Sequence, residues 1–405
     1  MPKVALISNV FHYYYAALAL ERSGSLERYI TGPCARESES WMARLGPIGR
    51  RIWSERRLAG IRPDSVRRLW LPEIVQKGTT RLGYSEAANR ICGSLFAGRA
   101  ARLMGNCDTV HFVQAVGWEA ARIAKQRGLR VVCDMREEHP EYQAEILGEE
   151  AEQLGVNVTV PGSTFRFRVM EEIALADHIF CPSSYAKRTF VARGIGAEKI
   201  VVCPYGVDAG IFAAGAVAGA AARKERAGQP FTVLFLGQLC MRKGLHYLIE
   251  GYRKARLPNS RLILAGAVDP QFRVVLERYR GLYEETGSVP RSRVPDLYAA
   301  ADVFVIASLA DSYGLVVSEA MSAGLPVIVS ENTGMADLIT NGREGFVVPI
   351  RNSDAIAERL TFLQQNREEC IRMGQAGAAT ARALDWSNYQ NAFAAFYAGA
   401  GDRRA

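Results

Sequence analysis

The chain has 405 residues, a net charge of +8, 49% apolar and 23% charged residues. That length exceeds one ordinary core and predicts two domains of about 200 residues each. The composition excludes a disordered chain, and no stretch approaches the roughly 20 apolar residues of a membrane span.

In chain order, MPKVALISNV enters a strand at 4–8 without the apolar region of a signal peptide. ALALERSG (17–24) has helical spacing. DTVHFVQ (108–114) is a strand, GWEAARIAKQRG (117–128) a helix and RVVCDM (130–135) a strand. A helix through VMEEIALA (169–176) leads to the strand HIFCPS (178–183). SYAKRTFVARG is a further helix, before KIVVCPYGVD (199–208). Apolar strands alternating with amphipathic helices predict a parallel sheet covered on both faces. The pattern breaks at the Ala/Gly-rich stretch 209–228, an expected interdomain crossing. It resumes with FTVLFLG (231–237), a helix in GLHYLIEGYRKA, RLILAG (261–266), a helix through VPDLYAAA and DVFVIAS (302–308). A helix from about Leu315, the strands PVIVS and GFVVP, and closing helices complete it.

The expected architecture is α/β: a first domain over 1–207 and a second over 208–405. The final helix, about 386–400, is a candidate to cross back onto the first domain. Ligands of such sheets sit beyond the carboxyl ends of the strands, here the cleft between the domains.

Eight scattered cysteines, with no C-x-x-C pair, predict reduced, buried thiols and a cytosolic protein. The net charge is concentrated. Between Arg44 and Arg81 ten Lys/Arg face three acids, interleaved with Trp41, Trp53 and Trp70. Basic residues mixed with Trp and Leu suit an anionic lipid surface, so 41–81 is an expected peripheral membrane contact. A solvated insertion is the plain alternative. No recognition motif accompanies the charge, which argues against nucleic acid.

The motifs follow strands. In FLGQLCMRKG (235–244), Gly237 permits a tight turn, and Arg242 and Lys243 would point cations into the cleft. In DSYGLVVSEAMSAGLPV (311–327), the amides at Gly314, Leu315 and Val316 open a helix and form an anion site. The acids Asp311 and Glu319 flank it. Two acids around a phosphate nest suit ribose, diphosphate and hexose.

This spacing resembles the retaining GT-B glycosyltransferases, in particular the large family 4 group. GSVPRSRVPDLYAAADVFVIAS (287–308) is similar to that family's base-binding turn, VVCPYGVDAGIF (201–212) to its hinge and GQLCMRKG to its phosphate-gripping loop. The resemblance implies two Rossmann-like doubly wound domains facing across a cleft. It also implies transfer of a hexose from a UDP- or GDP-sugar to a glycan or lipid-linked acceptor of the cell envelope. On it, Glu319 holds the ribose hydroxyls and Asp311 contacts the sugar. Lys243 grips the diphosphate, Tyr313, Gly314 and Leu315 lie against diphosphate or sugar, and Val289 and Pro290 lie near the base. The family's usual metal independence agrees with the lack of a D-x-D triplet or a His/Cys metal cluster, so no metal or other cofactor is expected.

Three departures stand out. Asp311 replaces the usual Glu and is shorter by roughly 1.5 Å. Gln238 occupies an expected arginine position. The loop SNVFHYYYAA lacks the usual glycine pair. In the N-terminal half, His12 and Tyr13 are acceptor-side candidates with Arg136, while Glu138 and His139 are candidates to contact the transferred sugar. His139 precedes Pro140 and reads equally as a turn residue. His111, His178 and His246 read as structural. Two rival readings stay open: a GT-B-shaped binding or scaffold subunit without turnover, and a sugar-nucleotide epimerase.

Overall fold

The computed structural model describes residues 1–36, 38–44, 46, 52–53, 56–70, 85–156, 163–212 and 228–399. Residues 213–227 of the expected Ala/Gly-rich crossing, and 45, 47–51, 54–55 and 71–81 of the basic stretch, lie outside the described residues.

Two parallel sheets stand in series, as the alternation predicts. In the first half the strands are β1 (Val4–Ser8), β2 (Leu26–Thr31), β3 (Val66–Arg68), β4 (Thr109–Val113), β5 (Arg130–Asp134), β6 (His178–Cys181) and β7 (Ile200–Val202). Their spatial order is β3-β2-β1-β4-β5-β6-β7. The order reverses between β1 and β4, which pair with Val4 beside Thr109. The second half supplies β8 (Phe231–Leu236), β9 (Ser260–Ala265), β10 (Glu284–Gly287), β11 (Val303–Ile306), β12 (Val327–Ser330) and β13 (Gly345–Val348). Their order is β10-β9-β8-β11-β12-β13, reversing between β8 and β11. Every residue of β1, β4, β8 and β11 is buried, because helices cover both faces.

The helices that matter here are α1 (Tyr14–Arg22), α2 (Ser85–Arg102), α3 (Trp118–Gln126), α4 (Pro140–Leu154), α5 (Ser163–Leu175) and α6 (Ser184–Val191) in the first half. In the second they are α7 (Leu245–Ala255), α8 (Arg273–Glu277), α9 (Val294–Ala300), α10 (Leu315–Ser322), α11 (Ser353–Gln365), α12 (Arg367–Arg382) and α13 (Trp386–Gly399).

The last helix, α13, packs on the first sheet. Its Tyr397 hydroxyl lies 2.6 Å from Nδ1 of the fully buried His111, and Phe393 and Phe396 pack on Phe180, tilted and edge-on respectively. Gln390 accepts from Arg22 of α1 at 2.8 Å. Trp386 stacks on Tyr15 with ring centres 4.1 Å apart. His178 packs edge-on against Phe396.

Part of the basic stretch is built into the fold, which narrows the lipid reading. Arg67 and Arg68 lie on the edge strand β3, where Arg68 pairs with Glu39 at 2.7 Å. Arg62 pairs with Glu21 at 2.6 Å. Trp53 and Trp70 pack on a small satellite core of Ala35, Met42 and Ile52, while Trp41 is exposed.

Candidate active site

The C-terminal wall of the cleft is built by the loops after β8 and β11. Gly237 ends β8, and a 3₁₀ turn over Met241–Lys243 brings two cations forward. Gly244 then has φ 60°, and a Cβ there would sit 1.9 Å from the Ala307 carbonyl oxygen. Only glycine lets the two loops close on each other this tightly. The Leu309 N–H donates to the Arg242 carbonyl at 2.9 Å, and the Arg242 guanidinium donates to Ala310 O at 2.8 Å. Lys243 Nζ forms an ion pair with Asp311 Oδ2.

Asp311 is 7% exposed. Burial pushes its carboxyl up, but Lys243, Arg242 and the Tyr313 N–H outweigh it and hold the group below the usual carboxylate range. Burial likewise works against the charge of Arg242, and Asp311 and Glu138 outweigh it, so the guanidinium stays charged. Gly314, at φ 85°, is the N-cap of α10, whose first amides carry the helix's unpaired donors. Leu315 at the helix start is exposed, and Gln238 is exposed at the loop entrance.

Glu319, about one turn into α10, is nearly buried. The Tyr298 hydroxyl of α9 donates to its Oε2 at 3.2 Å, and Arg291 lies 3.3 Å from its Oε1. Burial still raises this carboxyl above its ordinary value, against the pull of Arg291 and Tyr298. Val289 is half-buried and Pro290 exposed, and together they lead into the turn bearing Arg291.

The N-terminal wall comes from the loops after β1, β4 and β5. Glu138 is 1% exposed, with Gln143 Nε2 donating to its Oε2 at 3.0 Å. Burial pushes its carboxyl up to about 7, with Arg242 pulling the other way. The Arg136 N–H donates to Gln114 at 2.9 Å. The loop after β4 is tied by buried Glu172, which accepts from the Ala115 and Gly117 amides at 2.7 and 2.9 Å.

Two histidines depart from the cleft-facing positions read from the sequence. His139 is the N-cap of α4: its Nδ1 accepts from the Glu141 N–H at 3.3 Å and its ring packs on Phe190. An X-Pro step at a helix start makes that cap. His12 lies within an aromatic cluster of Tyr13, Tyr205 and Trp386. Burial and Arg136 push its pKa down to about 4. Tyr13 is fully buried beside it. The structure gives both histidines structural settings and brings Glu138, Arg242, Lys243 and Asp311 together.

The two walls touch. Ser183 Oγ donates to Ser312 O at 2.6 Å, Ser312 Oγ donates to Arg136 O, and Tyr313 OH donates to Tyr205 O. Asp337 accepts from the Ser184 amide at 2.8 Å. Along α4, Tyr142 accepts from Asn332, and fully buried Glu150 meets His246 at 2.6 Å and Arg351 at 2.7 Å. Farther along, Leu154 O accepts from Arg278. His246, read as structural from the sequence, is thus a structural partner between the two halves.

Sequence reasoning missed Arg291, Tyr298, Glu150 and Gln143. Arg291 directly follows the Val289-Pro290 turn, a signal that was present. Glu150 and His246 are 96 residues apart, and only the folded chain brings them together. Among the described residues no group of His, Cys, Asp and Glu is placed to hold a metal ion. Seven described cysteines are free and buried. No described helix is long and apolar enough to cross a membrane.

Comparison with known proteins places this geometry. The family description "Glycosyl transferases group 1" matches residues 220–380, and "Glycosyl transferase 4-like domain" matches 34–206. A GDP-mannose-dependent alpha-(1-6)-phosphatidylinositol monomannoside mannosyltransferase of Mycobacterium tuberculosis is 29% identical over 214 residues, 48% of this chain and 54% of that protein. A D-inositol 3-phosphate glycosyltransferase of Xylanimonas cellulosilytica is 28% identical over 252 residues, 58% of this chain and 60% of that one. The chain spans about half the length of the curated relatives it matches. The crystal structure of Anabaena HepE in complex with UDP superposes with a TM-score of 0.66 at 16% identity, over 98% of this chain and 100% of that one, a likeness of fold. With both halves matched in order and a two-domain GT-B architecture around the cleft, the chain belongs to the group 1 glycosyl transferases.

Proposed function

We propose that this protein is a retaining glycosyltransferase moving a hexose from a UDP- or GDP-sugar to a glycan or lipid-linked acceptor in cell-envelope polysaccharide synthesis. The observation that carries this reading is the C-terminal wall. Asp311 and Glu319 frame the N-terminus of α10, and Lys243 and Arg242 stand beside Asp311. Glu319, held by Tyr298 and Arg291, suits paired ribose hydroxyls. The α10 amides and Lys243 suit the diphosphate. Asp311 then faces the hexose. As the diphosphate leaves, these donors stabilise its growing charge, which supplies the main catalytic effect without a metal. The acceptor hydroxyl attacks on the same face and its proton passes to the leaving phosphate. Closure of the walls would exclude water.

The lipid part rests on exposed Trp41 within the basic stretch and predicts peripheral association with anionic membrane at the cytoplasmic face. Retention on anionic vesicles at low salt tests it.

A thermal-shift screen of UDP, GDP and their hexoses, followed by turnover assays with EDTA present, tests the whole reading. A nucleotide that raises the melting temperature and a sugar transferred in EDTA are expected. No stabilisation by either nucleotide would sink it. One observation favours a second reading, a binding subunit without turnover: exposed Gln238 stands where a diphosphate-stabilising arginine is expected. Wild-type protein that binds the nucleotide but consumes no donor, with nucleotide binding kept in Asp311→Ala, would favour that reading. An epimer formed from donor alone would instead mark an epimerase.

A further inference from the structure

The turn after Val289 and Pro290 carries Arg291 to the rim of the cleft. It is a short 3₁₀ turn over Arg291–Arg293, closed by the Arg293 N–H on Pro290 O at 2.8 Å. The Arg291 side chain is 63% exposed, so it fills no core. Its guanidinium nonetheless donates to Oε1 of Glu319, the nearly buried acid of α10, at 3.3 Å.

Glu319 depends on such a donor. To accept two hydroxyls a carboxyl should be ionised: the anion offers about four lone-pair sites, whereas the acid turns one oxygen into a donor. Burial works against the anion, and so does Asp208. Arg291 and the Tyr298 hydroxyl work for it. Tyr298 is uncharged and its single proton is shared, since its oxygen lies 3.2 Å from Glu319 Oε2 and 3.1 Å from Val316 O. Arg291 is therefore the positive charge that acts most strongly on Glu319 among the described residues. From the first half, Tyr15 faces both Asp208 and Arg291. Direct contact with a phosphate does not fit the place of Arg291, because Lys243 and Arg242 stand beside Asp311 while Arg291 stands at Glu319.

We propose that Arg291 is a positioning residue for the donor nucleotide: it keeps Glu319 ionised and oriented for the ribose hydroxyls without itself touching the nucleotide. The proposal rests on the transferase reading above and adds to it a residue that acts through Glu319. Glu319 takes up a proton as pH falls, and burial makes it do so earlier than an ordinary carboxylate. Without Arg291 that proton is taken up at higher pH still. The neutral acid accepts hydroxyls less well, so the effect of losing Arg291 grows as pH falls.

Calorimetry with UDP and with GDP at pH 8 and pH 5, on the full chain, tests this. Arg291→Ala should bind within about twofold of wild type at pH 8 and about fivefold more weakly at pH 5, the size of a partly exposed ion pair. Protonation of the nucleotide phosphates is common to both proteins and cancels. Arg291→Lys, which keeps the charge, should stay closer to wild type at pH 5 than Arg291→Ala does. In a Glu319→Gln background, where the acid no longer titrates, Arg291→Ala should have the same effect at both pH values. Three results overturn the role: a loss equal at pH 8 and pH 5, a loss that lysine does not lessen, or a pH dependence that survives Glu319→Gln. The guanidinium would then touch the nucleotide or only shape the turn. Binding of neither nucleotide by wild type at pH 8 would instead undo the reading of the cleft, and this proposal with it.

Discussion

Replacing Glu138 by glutamine should change how stability responds to pH. Glu138 is buried, and its carboxyl is pushed from 4.5 up to about 7, chiefly by burial. In the unfolded chain it loses its proton near 4.5, whereas folded it keeps it up to about 7. Its stabilising contribution is therefore complete below pH 4.5 and is lost as pH rises through 7. At 1.36 kcal/mol per unit, the 2.5-unit difference amounts to about 3 kcal/mol. Glutamine has the same shape and does not titrate. Between pH 5 and pH 8 the variant should thus gain about 2.5 kcal/mol on wild type, the first part of the difference being already lost at pH 5. Urea unfolding followed by tryptophan fluorescence at both pH values gives the difference of differences. His12, whose lowered pKa acts in the opposite direction, and Glu172, also raised to about 7, are common to both proteins and cancel. Parallel pH profiles for the two proteins would refute the reasoning, since they would mean that the Glu138 carboxyl is hydrated or compensated in the folded state.

Other outcomes follow from the same geometry. Glu319→Ala should weaken UDP binding about a hundredfold, two charge-assisted hydrogen bonds being lost, as read by calorimetry. Asp311→Ala should cut turnover by on the order of a hundredfold or more while UDP binding stays within a few-fold, as kinetics and calorimetry would show. Gly244→Ala places a methyl 1.9 Å from Ala307 O at φ 60°, so melting temperature and nucleotide affinity should fall together. Glu150→Ala strips His246 and Arg351 of their shared carboxylate, a loss of roughly 3 kcal/mol from the interdomain contact, and X-ray scattering should show a larger radius of gyration.

The fold was legible where burial is two-sided. VALIS, TVHFV and FTVLFL are unbroken apolar runs because helices cover both faces of each sheet. LERYIT escaped notice because Glu27 and Arg28 interrupt it, though it lies next to the central strand. EETG escaped because it is a charged, exposed edge, where charge guards against mispairing. At the candidate site, the placement of Lys243 beside Asp311 at the start of α10, with Glu319 one turn in, was legible because both motifs directly follow apolar strands. His139 and His12 were less so. A histidine's sequence neighbours do not reveal whether its ring caps a helix, as His139 does, or packs among aromatics, as His12 does. The α4 contacts left no periodic trace, because their partners come from loops and helices of the other half.

The return of α13 to the first sheet bears on how such proteins can be recombined. A chimera that joins one parent's N-terminal half to another's C-terminal half near residue 208 would take α13 from the wrong parent. His111 would then lose its Tyr397 partner, Phe180 its edge-on Phe396 and Tyr15 its Trp386. A working graft should therefore switch parents twice, once at the crossing and again between α12 and Trp386. The inherited unit of the N-terminal half is discontinuous along the chain, and its last segment is encoded after the whole second sheet.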